Sequence, residues 1–362
     1  MEYRLEDIFD LQMGKTPLRN IPEYWNSKDN KWISIADLSN CGKYIKETKE
    51  CLSDCAVFEN RISQIPKNTV VMSFKLSIGK TAITTEPMYS NEAIMSFRDK
   101  HVVELIPDYI YYMFSYMNWE DGTNKAVMGK TLNKATLSKF KVNIRNIGEQ
   151  RKIVEILDKV TKIIDDYKSE LVSLDELIKA RFVEMFGDLR ENPRGWMLHS
   201  INEMADVITD GEHATPKRTS EGIYLLSARN ILNHSLQLND VDYIDRAEYD
   251  RISKRIVPKE GDVLISCSGT VGRCCSVPAG IKFQMVRSAA LIRFKKEVLP
   301  VFAEYMITSE YIQEQINKAK TASSQANLFQ SKIANLKGFM PPLELQNEFV
   351  EFVKQVDKSR FV

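Results

Sequence analysis

Residues 149 to 186 constrain the chain most. Apolar side chains recur at Ile153, Leu157, Val160, Ile164, Tyr167, Leu171, Leu174 and Ile178, in steps of alternately four and three. That spacing is a coiled-coil seam, narrower than the apolar face of an ordinary core helix. Charges of both signs fill the positions between, from Glu149 and Arg151 through Asp165, Asp166, Lys168 and Glu184. No Pro or Gly intervenes until Gly187. At about 1.5 Å per residue such a helix reaches roughly 55 Å, more than the width of a small domain. One strand of a coiled coil cannot bury its own seam, so a partner helix is required, in this chain or another. The competing reading is a long amphipathic helix laid on one domain, and helices of this length are uncommon in compact domains.

The chain repeats itself around that helix. LNKATLSKFKVNIRNIGEQRKIVEIL, which leads into it, aligns without a gap to LFQSKIANLKGFMPPLELQNEFVEFV at an offset of 196 residues. Leu132 matches Leu328, Gln150 matches Gln346, and Val160 matches Val356. Upstream, PKNTVVMSFKLSIGKTA from Pro66 resembles PKEGDVLISCSGTVGRCC from Pro258. Pro107 stands opposite Pro300, and Gly14–Pro17 opposite Gly211–Pro216. Matches in one order are an internal duplication. Linker residues Gly187, Asn192, Pro193 and Gly195 separate the halves. The reading is a first globular unit at 1–146, a long helix at 147–190, a second unit at 191–340 and a shortened helix at 341–362. Runs such as 69–74, 101–106, 262–266 and 289–294 predict strands, and Pro107 and Pro300 each open a helix. The units are therefore α+β with a mixed sheet. Leu345, Phe349, Phe352 and Val356 restart the seam, so the second helix is the natural antiparallel partner of the first, with pseudo-two-fold symmetry. It is about half as long, which leaves the seam beyond about Leu171 to be completed by another chain.

Composition excludes several classes. The length suits two domains, and the 43% apolar content suits packed cores. No membrane span or signal peptide is present, so a cytoplasmic protein is expected. None of the six Cys forms a C-x-x-C pair. Cys41, Cys51, Cys55 and His101 fit no zinc-finger spacing. Gly-Lys-Thr occurs at 14–16, 79–81 and 129–131, always without the earlier Gly of a phosphate loop. No glycine-rich loop suits S-adenosylmethionine or a dinucleotide, and the four His are too scattered for a triad. No catalytic constellation or metal site emerges, and no cofactor is expected on this chain. Net charge is only +1, but residues 122–146 and 315–343 are basic without a single acid. Either stretch alone could be an ordinary solvated face, but a pair at equivalent places favours a nucleic-acid surface.

Together these features resemble the specificity subunits of type I restriction-modification enzymes. Two dissimilar globular halves each end in a basic Leu-Asn or Leu-Phe-Gln stretch. A short extended piece follows, and then EQRKIVEIL or LQNEFVEFV opens a helix. The resemblance implies that each half is a target recognition domain reading one half of a split double-stranded DNA sequence. It implies helices that set the spacer and dock two methyltransferase subunits. S-adenosylmethionine would sit on those partners, and ATP with Mg on partner subunits of the full complex, which adds restriction subunits. The short second helix departs from the family, in which it usually matches the first. The alternative is a coiled-coil scaffold that binds only proteins.

Candidate DNA contacts follow from charge and from the duplicated turns. Lys125, Lys130 and Lys134 in the first half and Lys318 and Lys320 in the second are expected on phosphate. Lys75, Lys80, Asn91, Arg229, Arg273, Gln284 and Arg287 are candidate groove contacts, with Asn91 opposite Gln284 in the repeat. Lys15 and His213, within the matched Gly-to-Pro stretches, and Arg19, Lys217 and Arg218, just beyond them, are further candidates.

Overall fold

The computed structural model describes residues 1–75, 77–119, 124–126, 129–320 and 327–360. Side chains of 124–126 and 129–131 are outside that description. Two compact units divide at Asp166 and Tyr167, within one continuous helix, Ile147–Phe186.

The first unit closes on itself by pairing Glu2–Arg4 with Lys141–Asn143. Its main sheet runs Phe9–Met13, Ile94–Asp99, Val70–Ser73, Thr81–Thr84, Tyr44–Ile45, antiparallel except for the last pair. A small sheet orders Glu50–Leu52, Asn30–Ile33 and Tyr89–Ser90, the last two parallel. The central strand Val70–Ser73 is buried on both faces because helix Pro107–Tyr116 covers one and the small sheet the other. Residues 101–106, read as a strand from their β-branched side chains, are not one. His101 turns the chain with φ +58° and Val102 is 60% exposed, so the buried strand is Ile94–Asp99 just before it.

The second unit repeats the plan. Leu198–Ser200 pairs with Lys337–Phe339. The main sheet runs Ala205–Asp210, Ala289–Phe294, Val263–Ser266, Cys274–Ser276. The small sheet again ends on a parallel pair, Ile223–Leu226 with Phe283–Met285. Helix Pro300–Thr308 covers the main sheet.

A buried glutamine fixes each long helix to its unit. Gln150 accepts from Ile106 N at 3.0 Å and donates to Glu104 O and Arg145 O at 2.8 and 2.9 Å. Gln346 accepts from Leu299 N at 2.8 Å and donates to Glu297 O and Pro341 O at 2.9 and 2.8 Å. Both are fully buried. A primary amide supplies the acceptor and both donors that these loop backbones need.

The seam is covered differently from its expectation. Terminal helix Leu343–Ser359 runs antiparallel to the last third of the central helix, tied by Arg181–Glu348 at 2.8 Å and by Arg360–Asp175. Phe182 and Phe186 pack edge-on against Phe349, and Val353 and Val356 join Ile178 in the same core. Leu174, Leu345 and Phe352 pack against that core as well. The seam beyond Leu171 is thus completed within this chain, not by another. Ile153 and Leu157 are half-buried, with Ile153 against the first core. The stretch left open is Val160, Ile164, Tyr167 and Leu171, exposed by 46%, 47%, 53% and 39%. No helix among the described residues is long and apolar enough to cross a membrane.

Candidate nucleic-acid interface

In each unit three loops meet where the chain passes from the main sheet to the small sheet. In the first unit the strand Phe9–Met13 leaves at Gly14, whose N–H donates to Ile94 O at 3.2 Å, and Lys15 N then donates to Ser90 O at 2.8 Å. A Cβ on Gly14 would lie 2.1 Å from Ser90 O, so only glycine permits the crossing. In the second unit Gly211 N donates to Ala289 O at 3.0 Å and Glu212 N to Met285 O at 2.8 Å, and a Cβ there would lie 2.4 Å from Met285 O.

The second loop is a turn anchored by serine. Ser73 N donates to Lys80 O at 2.9 Å, and Gly79 N donates back to Ser73 O at 2.9 Å. The Ser73 hydroxyl donates to Ser77 O and accepts from Lys80 N. Ser266 makes the same bonds to Arg273, Gly272 and Thr270. Gly79 and Gly272 sit at φ +88° and +92°, where a side chain would strain the turn. The third loop carries Asn91–Ala93 or Val286–Ser288. Phe74 N donates to Ala93 O at 3.0 Å, as Cys267 N donates to Ser288 O at 2.7 Å, which docks the second loop on the third.

This geometry corrects one repeat match. Asn91 N donates to Ile33 O and Val286 N to Leu226 O, so the counterpart of Asn91 is Val286, while Gln284 stands opposite Tyr89. Gln284 is fully buried, and its amide donates to Ser253 Oγ and Ile256 O at 2.9 Å each. A groove contact by Gln284 is therefore ruled out by its packing. Asn91 spends its side-chain oxygen on Ala93 N, bracing the third loop.

The remaining candidates divide by whether an acid or carbonyl already satisfies them. Lys15 donates to Asn60 O, and Arg19 pairs with Glu50 while stacking 3.8 Å over Trp25. His213 meets Asp210, Arg218 meets Asp242, Arg229 meets Asp240 and Asp242, and Lys320 donates to Asn317. Arg218 and Arg229 hold the Asp242 carboxyl below its usual range. Lys75, Lys80, Lys134, Lys217, Arg273, Arg287 and Lys318 have no side-chain ion pair among the described residues. Lys75, Lys80, Arg273 and Arg287 stand in the second and third loops. Lys134 opens the short helix Lys134–Ser138, and Lys318 ends helix Glu310–Ala319. The side chains of Lys125 and Lys130 lie outside the described residues.

Sequence reasoning missed Glu92. Its carboxylate accepts from the Thr16 hydroxyl, tying the first loop to the third. Lost hydration would raise its pKa, but Thr16, its own backbone N–H, Lys75 and Arg19 outweigh that and hold it below the ordinary range. No sequence signal marks the pair, because Thr16 and Glu92 meet only through the Gly14 crossing. Among the described residues no three His, Cys, Asp or Glu side chains gather as potential metal ligands. Cys267 is buried and its thiol is pushed up to about 12.

Tandem copies of one loop-capped, two-sheet module carried on a long helix are the architecture of a repeat binding protein. The family model described as the type I restriction modification DNA specificity domain matches residues 1–173 and 193–361, and the chain belongs to that family. Among curated relatives, the MjaIX specificity subunit of Methanocaldococcus jannaschii is 25% identical over 223 residues, 56% of this chain and 51% of that one. The EcoprrI specificity subunit of Escherichia coli is 24% identical over 172 residues, 44% and 42% of the two chains. The chain thus spans about half the length of the curated relatives it matches. The type I system S subunit from M. genitalium shares the fold with a TM-score of 0.54 at 12% identity, over 99% of this chain and 90% of that one. A chain from a structure of type I system assembly and conformational transition gives 0.56 at 14%, over 99% and 90%.

Proposed function

We propose that this chain is the DNA-recognition subunit of a type I restriction-modification assembly and carries no chemistry itself. Each half reads one half of a bipartite duplex target, and the helices set the spacer and dock two methyltransferase subunits. S-adenosylmethionine belongs on those partners, and ATP with Mg on the restriction subunits of the full assembly, in the cytoplasm. The observation that carries this reading is the loop apex built twice, each time with lysine or arginine side chains that make no ion pair among the described residues. Free Lys and Arg on a projecting loop favour phosphate and guanine edges. A bipartite site is the natural target of two such modules in one chain. The open seam at Val160, Ile164, Tyr167 and Leu171 supports a protein partner on the helix. A scaffold without readout would have no use for the duplicated apex.

The test exchanges residues 1–146 for those of a relative and maps methylation in cells that also carry the methyltransferase subunit. One half of the methylated sequence should change and the other should not. A swap that alters both halves, or a parent chain that yields no methylated motif, overturns the proposal.

A further inference from the structure

The third loop carries opposite charges in the two halves. Glu92 follows Asn91 in the first, and Arg287 follows Val286 in the second. Their equivalence rests on backbone bonds, since Ile94 N donates to Asn91 O as Ala289 N donates to Val286 O. Both residues are exposed at the apex. The first loop inverts in the opposite sense: Lys15 N and Glu212 N make the same bond to the small sheet. One scaffold thus presents a carboxylate in one half and a guanidinium in the other.

A carboxylate is out of place on a surface that only tracks phosphates, because the two repel. Glu92 is nevertheless held in place by the Thr16 hydroxyl, and the charges of Lys75 and Arg19 favour its ionised form. An anchored acceptor with no donor group of its own has one favourable partner on duplex DNA, an amino group on a base edge. Arg287 is the complementary case. Its backbone N–H donates to Glu212 O at 3.0 Å, fixing the loop, while its guanidinium has no partner among the described residues. A free planar fork of donors matches the O6 and N7 acceptors of guanine.

We propose that this loop position reads a base in each half, Glu92 accepting from the N4 amino group of cytosine and Arg287 donating to O6 and N7 of guanine. The inference rests on the DNA-reading function proposed above and names the bases at one position of each half-site. The competing role for Glu92 is to neutralise Lys75 and Arg19, which would stabilise the loop without reading anything.

Methylated motifs are mapped in cells that carry the full chain with its methyltransferase subunit, as wild type, Glu92→Gln or Arg287→Gln. Glutamine keeps the length of Glu92 and an acceptor for Thr16, but its amide suits adenine. Wild type should prefer cytosine at one position of the first half-site by roughly 10–100-fold, the range one good side chain–base pairing supplies. Glu92→Gln should reduce that preference to within about 3-fold or turn it to adenine, leaving the second half-site intact. Arg287→Gln should do the same to one guanine of the second half-site only. If Glu92→Gln proves unfolded by thermal melting, Thr16→Val takes its place, releasing the carboxylate and weakening the same cytosine preference. A folded variant that keeps the wild-type motif at full preference overturns the inference and leaves the DNA-reading function standing. A wild-type chain with no methylated motif overturns both.

Discussion

Replacing Gln150 by Leu tests how the central helix is held to the first unit. The leucine keeps the bulk of a fully buried side chain and removes three hydrogen bonds, from Ile106 N and to Glu104 O and Arg145 O. Ile106 N and the two carbonyls then lose their partner inside the protein. Each buried backbone group left unpaired costs about 1–3 kcal/mol, whereas an ordinary hydrogen bond contributes only about 1 kcal/mol net. Glu104 and Arg145 are exposed residues, so the lower end applies to their carbonyls. The expected loss is about 3–5 kcal/mol, a large fraction of a domain's stability. For units of this size that corresponds to roughly 6–20 °C in Tm. Calorimetry of the full chain should show one transition moved down and the other nearly still. Gln346→Leu should move the other transition, because Gln346 makes the equivalent bonds in the second unit. A loss under about 1 kcal/mol for either variant would refute the reasoning, since it would mean the amide only replaces water.

Three further outcomes follow from particular contacts. Ile178→Asp should cost several kcal/mol in denaturant unfolding of the chain alone, because that side chain is fully buried, whereas Ile164→Asp, 47% exposed, should cost no more than about 1 kcal/mol. Gly14→Ala should cost at least about 2 kcal/mol through its clash with Ser90 O, while Gly42→Ala, with open space around it, should stay within about 0.5 kcal/mol. Burial raises the Asp158 carboxyl, but Lys43 and the Tyr112 hydroxyl outweigh it and hold its pKa below the ordinary value. A carboxyl depressed in the folded state stabilises above its unfolded pKa and loses that contribution as pH falls through the folded one. Stability of the first unit should therefore drop from about pH 4 downward, and less steeply in Asp158→Asn, as followed by acid titration of the melting temperature.

The long helix and the duplication could be read from sequence because both are periodic. A seam at 3.5-residue spacing and a gapless match at an offset of 196 from Leu132 onward survive without any tertiary information. That offset already paired Gln150 with Gln346, although their role emerged only from the backbone groups around them. The strand misread at 101–106 shows the limit. Val102 and Val103 carry β propensity, yet the main sheet had already taken Ile94–Asp99, and tertiary packing overrides local preference. The seam shows a second limit. Periodicity demands a partner but does not say which turns receive it, and the terminal helix covers Leu174 to Met185 because the second core extends onto that face.

Charge is where sequence said least. Free and neutralised cations look alike in a sequence, and Arg218 and Lys217 stand side by side with opposite fates because Asp242 reaches only one of them. Gln284 was polar enough to read a base and is sealed in the core instead. Sequence determined that the chain has two like halves on a helix, since hydrophobic period and repetition are properties of the chain itself. Which side chains meet at each apex was decided only when Gly14 and Gly211 let the backbone cross between sheets, because long-range proximity has no trace in local order.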